Sequence, residues 1–177
     1  GFETSILADG RINDTIARNQ TTDQQPIIIS TNLGYQFTTN DIVHFNAQFE
    51  QNDAPGIEKR TITNFLTIPE NINLELDTIE NEADFWEIGG DYEHTFNNGN
   101  RWKSLFIGNR KEDDRLRERF DMDRNNTKDL FLKTFNRYEE KIFRTSYAMN
   151  LNPIQDLEFG IERAQTTLDS ILKLGLE

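Results

Sequence analysis

The side chains with the most chemical potential in this chain are two histidines, His44 and His94. Metal binding would need both imidazoles to converge with carboxylates. Alternation sets His44 among the polar Asn46, Gln48 and Glu50, whereas His94 shares a face with Tyr92 and Phe96 beside a turn. They read as ordinary strand histidines, and no metal ligand is assigned. Two groups of carboxylates share strand faces, Glu158 with Glu162, and Glu87 with Asp91 and Glu93. A catalytic pair works at ~5–9.5 Å, but residues i and i+4 of a strand lie ~13 Å apart. Solvated carboxylates fit that spacing better than acid–base partners.

Other motifs fall short in similar ways. "DMDRNN" (Asp121–Asn126) opens like a calcium loop, with Asp121, Asp123 and Asn125 in the first alternate positions. The glycine and the bidentate glutamate that such a loop requires are replaced by Asn126 and Leu132, so only a looser cation site is left open. "ADGR" (Ala8–Arg11) reads as a bulge or tight bend, because no glycine-rich loop leads into a helix there. A triad would have to be assembled from Ser30, either histidine and any aspartate, with no spacing in its favour. Asn13 and Asn125 each open an Asn-x-Thr sequon, which would carry no meaning in a bacterial protein. No catalytic residue, cofactor-binding residue or metal ligand is assigned, and no enzyme activity is expected.

Elements that would carry these residues follow from the hydrophobic period. Val43, Phe45, Ala47 and Phe49 alternate strictly with His44, Asn46, Gln48 and Glu50. In Phe85–Phe96, Trp86, Ile88, Gly90, Tyr92 and Phe96 alternate with Glu87, Gly89, Asp91, Glu93 and Thr95. Both stretches are β-strands. Short turns are expected at "TTND" (Thr38–Asp41), "NNGN" (Asn97–Asn100), Pro69–Asn71 and "NP" (Asn152–Pro153), where Asn and Gly accept positive φ and Pro presets a turn. Arg18–Gln25, Gln51–Lys59 and Arg110–Lys128 are expected to be long polar loops.

The resulting strands are Glu3–Asn13, Pro26–Phe37, Ile42–Gln51, Arg60–Ile68, Ile72–Ile79, Phe85–Phe96, Arg101–Arg110, Lys128–Leu151 and Asp156–Asp169. Lys128–Leu151 exceeds the usual ~3–10 residues of a strand and could contain a helix. The last stretch also carries the three- and four-residue spacing of a helix, through Leu157, Ile161, Ala164, Leu168 and Ile171. Gly160 and the Thr166–Thr167 pair weigh toward strand. Apolar parity changes from odd (Leu157, Phe159, Ile161) to even (Leu168, Leu172, Leu174, Leu176), so a bulge is expected near Arg163–Thr167. The fold class is all-β, an antiparallel up-and-down meander of about eight to ten strands, occupying residues 1–177 as one unit.

Composition narrows the partners. The 177 residues, enough for one domain with a core, include 31 acidic and 19 basic side chains, for a net charge of −12. That balance argues against nucleic acid, and against purely electrostatic docking on anionic headgroups. Cysteine is absent, so no disulfide framework exists. The chain starts at Gly1, without an initiating Met or a signal segment, and reads as processed, engineered or partial. No window approaches the ~18 apolar residues of a spanning helix, but a membrane β-barrel strand needs only ~9–11 residues with one polar face.

Two long runs carry a family resemblance. "FWEIGGDYEHTFNNGNRWKSLFIGNRKEDDRLRERF" (Phe85–Phe120) resembles a barrel hairpin of TonB-dependent outer-membrane receptors, with an aromatic-rich strand, a short Asn/Gly turn and a returning strand that enters a charged loop. "EEKIFRTSYAMNLNPIQDLEFGIERAQTTLDSILKLG" (Glu139–Gly175) resembles the hairpin that follows, above all in "FRTSY", the Asn-Pro turn and "LEFGIERAQTTLDS". Together they cover about 70 of the 177 residues. No plug domain, TonB box or terminal aromatic strand is recognisable, and such receptors resemble 22-stranded plugged barrels. The resemblance therefore implies part of a transmembrane barrel wall in a bacterial outer membrane. It also implies a lipid bilayer with lipopolysaccharide outside, the rest of the barrel and its plug inside, and a TonB-type energiser. The nutrient would be large: an iron chelate, a corrinoid or a glycan. Arg144 would then face the lumen, and Arg163 would stand near a membrane boundary or after a bulge. A soluble β-rich binding or assembly module is the alternative, and an outer-membrane hydrolase a more distant one.

Overall fold

A computed structural model describes residues 1–152 and 154–176. Among these residues nine strands form a single antiparallel sheet: β1 (Phe2–Ile6), β2 (Ile12–Thr22), β3 (Gln25–Gln36), β4 (Asp41–Asp53), β5 (Gly56–Asn64), β6 (Asn71–Thr95), β7 (Arg101–Asp121), β8 (Thr127–Asn152) and β9 (Gln155–Leu176). The all-β, antiparallel meander expected from the period is the observed fold.

The nine segments behave as fewer, longer strands. Thr22 pairs with Gly56 and Gln25 with Asp53, so the β2–β5 and β3–β4 ladders keep one register across the break. On the other side β6 pairs with β4 and β5 in turn, again without a shift, from Asp53↔Glu82 to Gly56↔Ile79. The breaks at 23–24 and 54–55 are thus local. Pro55 has no N–H to donate, yet the bonds Asp23 N to Pro55 O (2.9 Å) and Ala54 N to Asn81 O (2.8 Å) still bridge the gap.

Several sequence expectations are corrected. Glu3–Asn13 is split by a turn at "ADGR", where Gly10 adopts φ +85°. Ile72–Ile79 and Phe85–Phe96 are parts of the one strand β6. The polar stretches Arg18–Gln25, Gln51–Lys59 and Arg110–Lys128 are strand for most of their length, and only the short 122–126 turn separates β7 from β8. Lys128–Leu151 lies within the single strand β8 and holds no helix. The final strand runs on to Leu176, and its pairing with β8 is unshifted from Leu130↔Leu176 to Asn150↔Asp156. No bulge interrupts Arg163–Thr167, so the apolar residues of β9 change face instead. The turns at Thr38–Asp41 and Asn97–Asn100 stand as expected, whereas Pro153 of the Asn-Pro turn lies outside the described residues.

No second layer covers the sheet. Among the described residues, only Ala54 and Ile79 are buried apolar side chains, while Leu33, Tyr35, Phe159 and Ile161 are each more than half exposed. The chain is long enough to fill a core, but one layer has nothing to pack against. Among the described residues no helix is long and apolar enough to cross a membrane, which says nothing about crossing by strands.

Candidate functional site

Each strand contributes alternate residues to two faces, and the continuous registers align those faces across the sheet. One face carries an apolar band toward the end with the Thr38–Asp41 and Asn97–Asn100 turns. On β3 it comprises Ile27, Ile29, Leu33 and Tyr35, with Phe37 just past the strand, and on the adjoining strands Val43, Phe45 and Phe49, then Trp86, Ile88 and Tyr92. It continues through Trp102 and Phe106, Phe143 and Tyr147, and Leu157, Phe159 and Ile161. Ile27 to Phe37 measures about 33 Å along the strand.

The band slants. Ile29, Phe49 and Trp86 share one row, and that row continues to Arg110, Glu139 and Thr167. On β7 and β8 the last apolar residues, Phe106 and Phe143, stand four positions nearer the turns, and on β9 Ile161 stands six positions nearer. Counted from Ile29, six positions over five strand intervals is about 20 Å of rise in about 24 Å of width, and counted from Ile27 the rise is about 27 Å, so this margin slopes by about 40–50°. The backbone is staggered in the same sense. The row from Gln36 passes through Glu93 and Ser146, but β6 continues to Thr95 and β8 to Asn152. The turn-side margin rises less, by about two positions from Phe37 to the row of Leu157, so the band narrows from about 33 Å beside β3 to about 13 Å between Leu157 and Ile161 on β9.

Aromatic side chains gather at the turn-side margin of the band. Tyr35 meets Phe37 edge-on at 4.7 Å, Tyr92 meets Trp102 at 5.8 Å, and Phe96 bridges His94 at 4.5 Å and Tyr147 at 5.7 Å. The polar atoms of Tyr92, Trp102 and Tyr147 are occupied. Tyr92 OH donates to Asp41 at 2.7 Å, Trp102 Nε1 donates to Thr145 at 2.8 Å, and Asn100 donates to Tyr147 OH at 2.7 Å. Rings with an apolar body and a satisfied polar tip suit a boundary between hydrocarbon and water.

Opposite the band, the other face is mostly polar, although Ile28, Ile107 and Ile142 also lie on it. His44 Nδ1 lies 3.1 Å from Asp91, which Lys103 also approaches at 3.5 Å. Asn46 donates to Glu87 and Asn109 to Glu140, each at 3.4 Å. Arg144 Nε donates to Glu162 at 2.6 Å, so Arg144 stands on the polar face as expected. Arg163 shares the band face with Ile161 but lies beyond its margin, opposite Phe143.

The polar face also holds the only fully buried side chain among the described residues, Asp77. Arg60 Nη2 donates to both carboxylate oxygens of Asp77, at 3.0 and 2.9 Å, and Arg117 Nε donates at 2.9 Å. Glu75 lies 3.0 Å from Arg60, and Arg119 pairs with Asp129 at 2.9 Å. Arg60 Nε and Glu75 Oε2 are close to charged partners without hydrogen-bond alignment. The Arg119 guanidinium holds the Asp129 carboxyl below its ordinary range. Sequence reasoning missed this cluster by assigning Arg117 and Arg119 to a loop. A signal was present, since Glu58/Arg60, Glu75/Asp77 and Arg117/Arg119 each repeat at the two-residue spacing of one strand face.

The candidate chemical residues do not assemble. His44 and His94 lie on opposite faces, and His94 is hydrogen-bonded to Asp41 at 2.7 Å, so the two imidazoles cannot share an ion. Glu162 is held by Arg144, while Glu158 faces Ala148. In the 122–126 turn, Asp121 accepts from Asp123 N at 3.0 Å and Asp123 accepts from Leu74 N at 2.8 Å. Those carboxylates hold the turn and its neighbour, and Asn125 and Asn126 supply its positive φ, 54° and 57°. No family model matches the chain, and no curated protein matches it.

Proposed function

We propose that this chain is part of the wall of a transmembrane β-barrel in a bacterial outer membrane, of the TonB-dependent receptor type that it resembles. The observation that carries the reading is the apolar band on a one-layer sheet, whose sloping far margin follows the stagger of the backbone. Contiguous apolar surface of this extent is rare on a soluble monomer, and strands of membrane barrels tilt by ~35–45°. The band would meet lipid, and the polar face would line a wet interior that packs on a plug. Beyond the band, the long charged ends of β7 and β8 would reach past the membrane to help admit a large nutrient such as an iron chelate, a corrinoid or a glycan. Energy would come from a TonB-type partner acting on the plug. The role is passage and capture, with no bond made or broken by this chain.

The test is fractionation. Recovery from the outer membrane only after detergent extraction is expected, and a freely soluble, monomeric, folded 177-residue product would sink the reading. A soluble β-rich assembly module is the second reading. It is favoured by Leu168, Leu172 and Leu174, which stand exposed on the mostly polar face at the edge strand β9.

A further inference from the structure

Three cations follow the slanted margin of the apolar band, one per strand. Arg110 on β7 stands opposite Trp86, Lys141 on β8 opposite Gly108, and Arg163 on β9 opposite Phe143. Each successive cation lies two positions nearer the turns, so the row climbs with the band. This is a local reversal in a chain whose net charge is −12.

Two of the three are uncommitted. Arg110 is engaged by Glu112, and by Glu139 at 3.8 Å. Lys141 and Arg163 are exposed and have no carboxylate partner among the described residues. Glu139, the acidic residue on that face next to Lys141 in its strand, is the one turned to Arg110. Gln165 and Thr167 beside them are neutral, and Glu140 and Glu162 point to the opposite face. Between the two free cations lies a groove of about 390 Å³ lined by Phe106, Gly108, Lys141, Phe143, Arg163 and Gln165. Gly108 opens it, since a Cβ built there meets nothing within 4 Å.

The geometry points to a seat for an anionic membrane lipid, with one acyl chain lying over Gly108 between Phe106 and Phe143 and its phosphate held by Lys141 and Arg163. Charge complementarity selects this occupant. A groove with apolar walls suits an acyl chain, and two unpaired cations at its rim, level with the edge of a hydrocarbon zone, suit a headgroup phosphate. The inference rests on the membrane reading given above.

The test is native mass spectrometry of the protein carrying this chain, extracted in a neutral detergent and titrated with dioleoyl phosphatidic acid, dioleoyl phosphatidylcholine or inorganic phosphate. The phosphatidic acid is expected to bind roughly tenfold more tightly than the phosphatidylcholine, about one charge-assisted contact. The double variant Lys141→Gln/Arg163→Gln should remove that preference. Lys59→Gln/Lys173→Gln, with equal charge loss elsewhere on the same face, should keep it. Gly108→Leu should weaken both lipids by filling the groove. Equal binding of the two lipids, or an unchanged preference in the first double variant, would overturn the seat while leaving the barrel reading intact. Full competition by inorganic phosphate would also overturn it, by showing a site for the free anion. Failure of the protein to enter detergent or membrane at all would remove both readings together.

Discussion

The two ends of this sheet solve the same problem differently. Toward the Asn97–Asn100 turn, order comes from apolar side chains on one face that find no partner within the chain, such as Leu33 and Ile161. Toward the 122–126 turn, order comes from charges that pair with one another, with Asp77 fully enclosed by Arg60 and Arg117. The first arrangement needs a covering medium, and the second supplies its own. A single layer can therefore persist without a core where its charged half is stitched by cross-strand pairs.

The largest expected effect breaks the self-sufficient half. Asp77→Ala leaves Arg60 and Arg117 facing each other without their shared carboxylate, and should cost about 3–5 kcal/mol in detergent-micelle unfolding. An effect below about 1 kcal/mol would mean that the cluster is ornamental to the fold. Next comes the half that needs covering. Ile88→Arg on the band face should destabilise by about 2–4 kcal/mol in a bilayer, whereas Gln48→Arg on the opposite face of the neighbouring strand should cost little. Equal penalties in liposomes would erase the difference between the faces.

A steric test follows at β9. A Cβ at Gly160 would approach the Thr145 carbonyl oxygen to 2.5 Å and Ser146 Cβ to 2.9 Å, so β9 must shift away from β8. Gly160→Val should cost about 1–3 kcal/mol and speed hydrogen exchange along β9, while Gly108→Ala, in open space, should leave exchange unchanged.

The smallest effect is a pH response in the polar half. Arg119 lowers the folded-state pKa of Asp129, so the stabilisation is present above the unfolded pKa and is lost as pH falls through the lowered folded value. For a partly exposed pair this amounts to a few tenths to about 1 kcal/mol. Asp129→Asn should flatten that part of the acid-denaturation curve, and an unchanged curve would show that the pair contributes nothing.

Much of this architecture was legible in local pattern. Strict alternation in Val43–Glu50 and Phe85–Phe96 announced strands with one apolar and one polar face, and the Asn/Gly-rich stretches announced the turns. The same rule placed His44 and His94 on different faces before any coordinates. Alternation is a property of neighbours in the chain, so a sequence carries it unaided. Composition misled where charge was dense. Arg110–Asp121 has the residues of a solvated loop, yet it is strand because Arg115 pairs with Asn81 on one side and Thr134 on the other.

The bulge expected in Arg163–Thr167 failed for a related reason. It assumed that apolar residues must keep one face, whereas β8 holds β9 in unbroken register and carries Leu168, Leu172 and Leu174 to the other. The chain by itself thus determined which segments alternate and where they turn, because those are short-range preferences of backbone and side chain. Only the tertiary structure decided how far each strand runs, how the rows stagger into a slope, and which carboxylate Arg60 and Arg117 would enclose. Those are outcomes of cross-strand pairing, in which residues 17 and 40 positions apart satisfy the same buried charge.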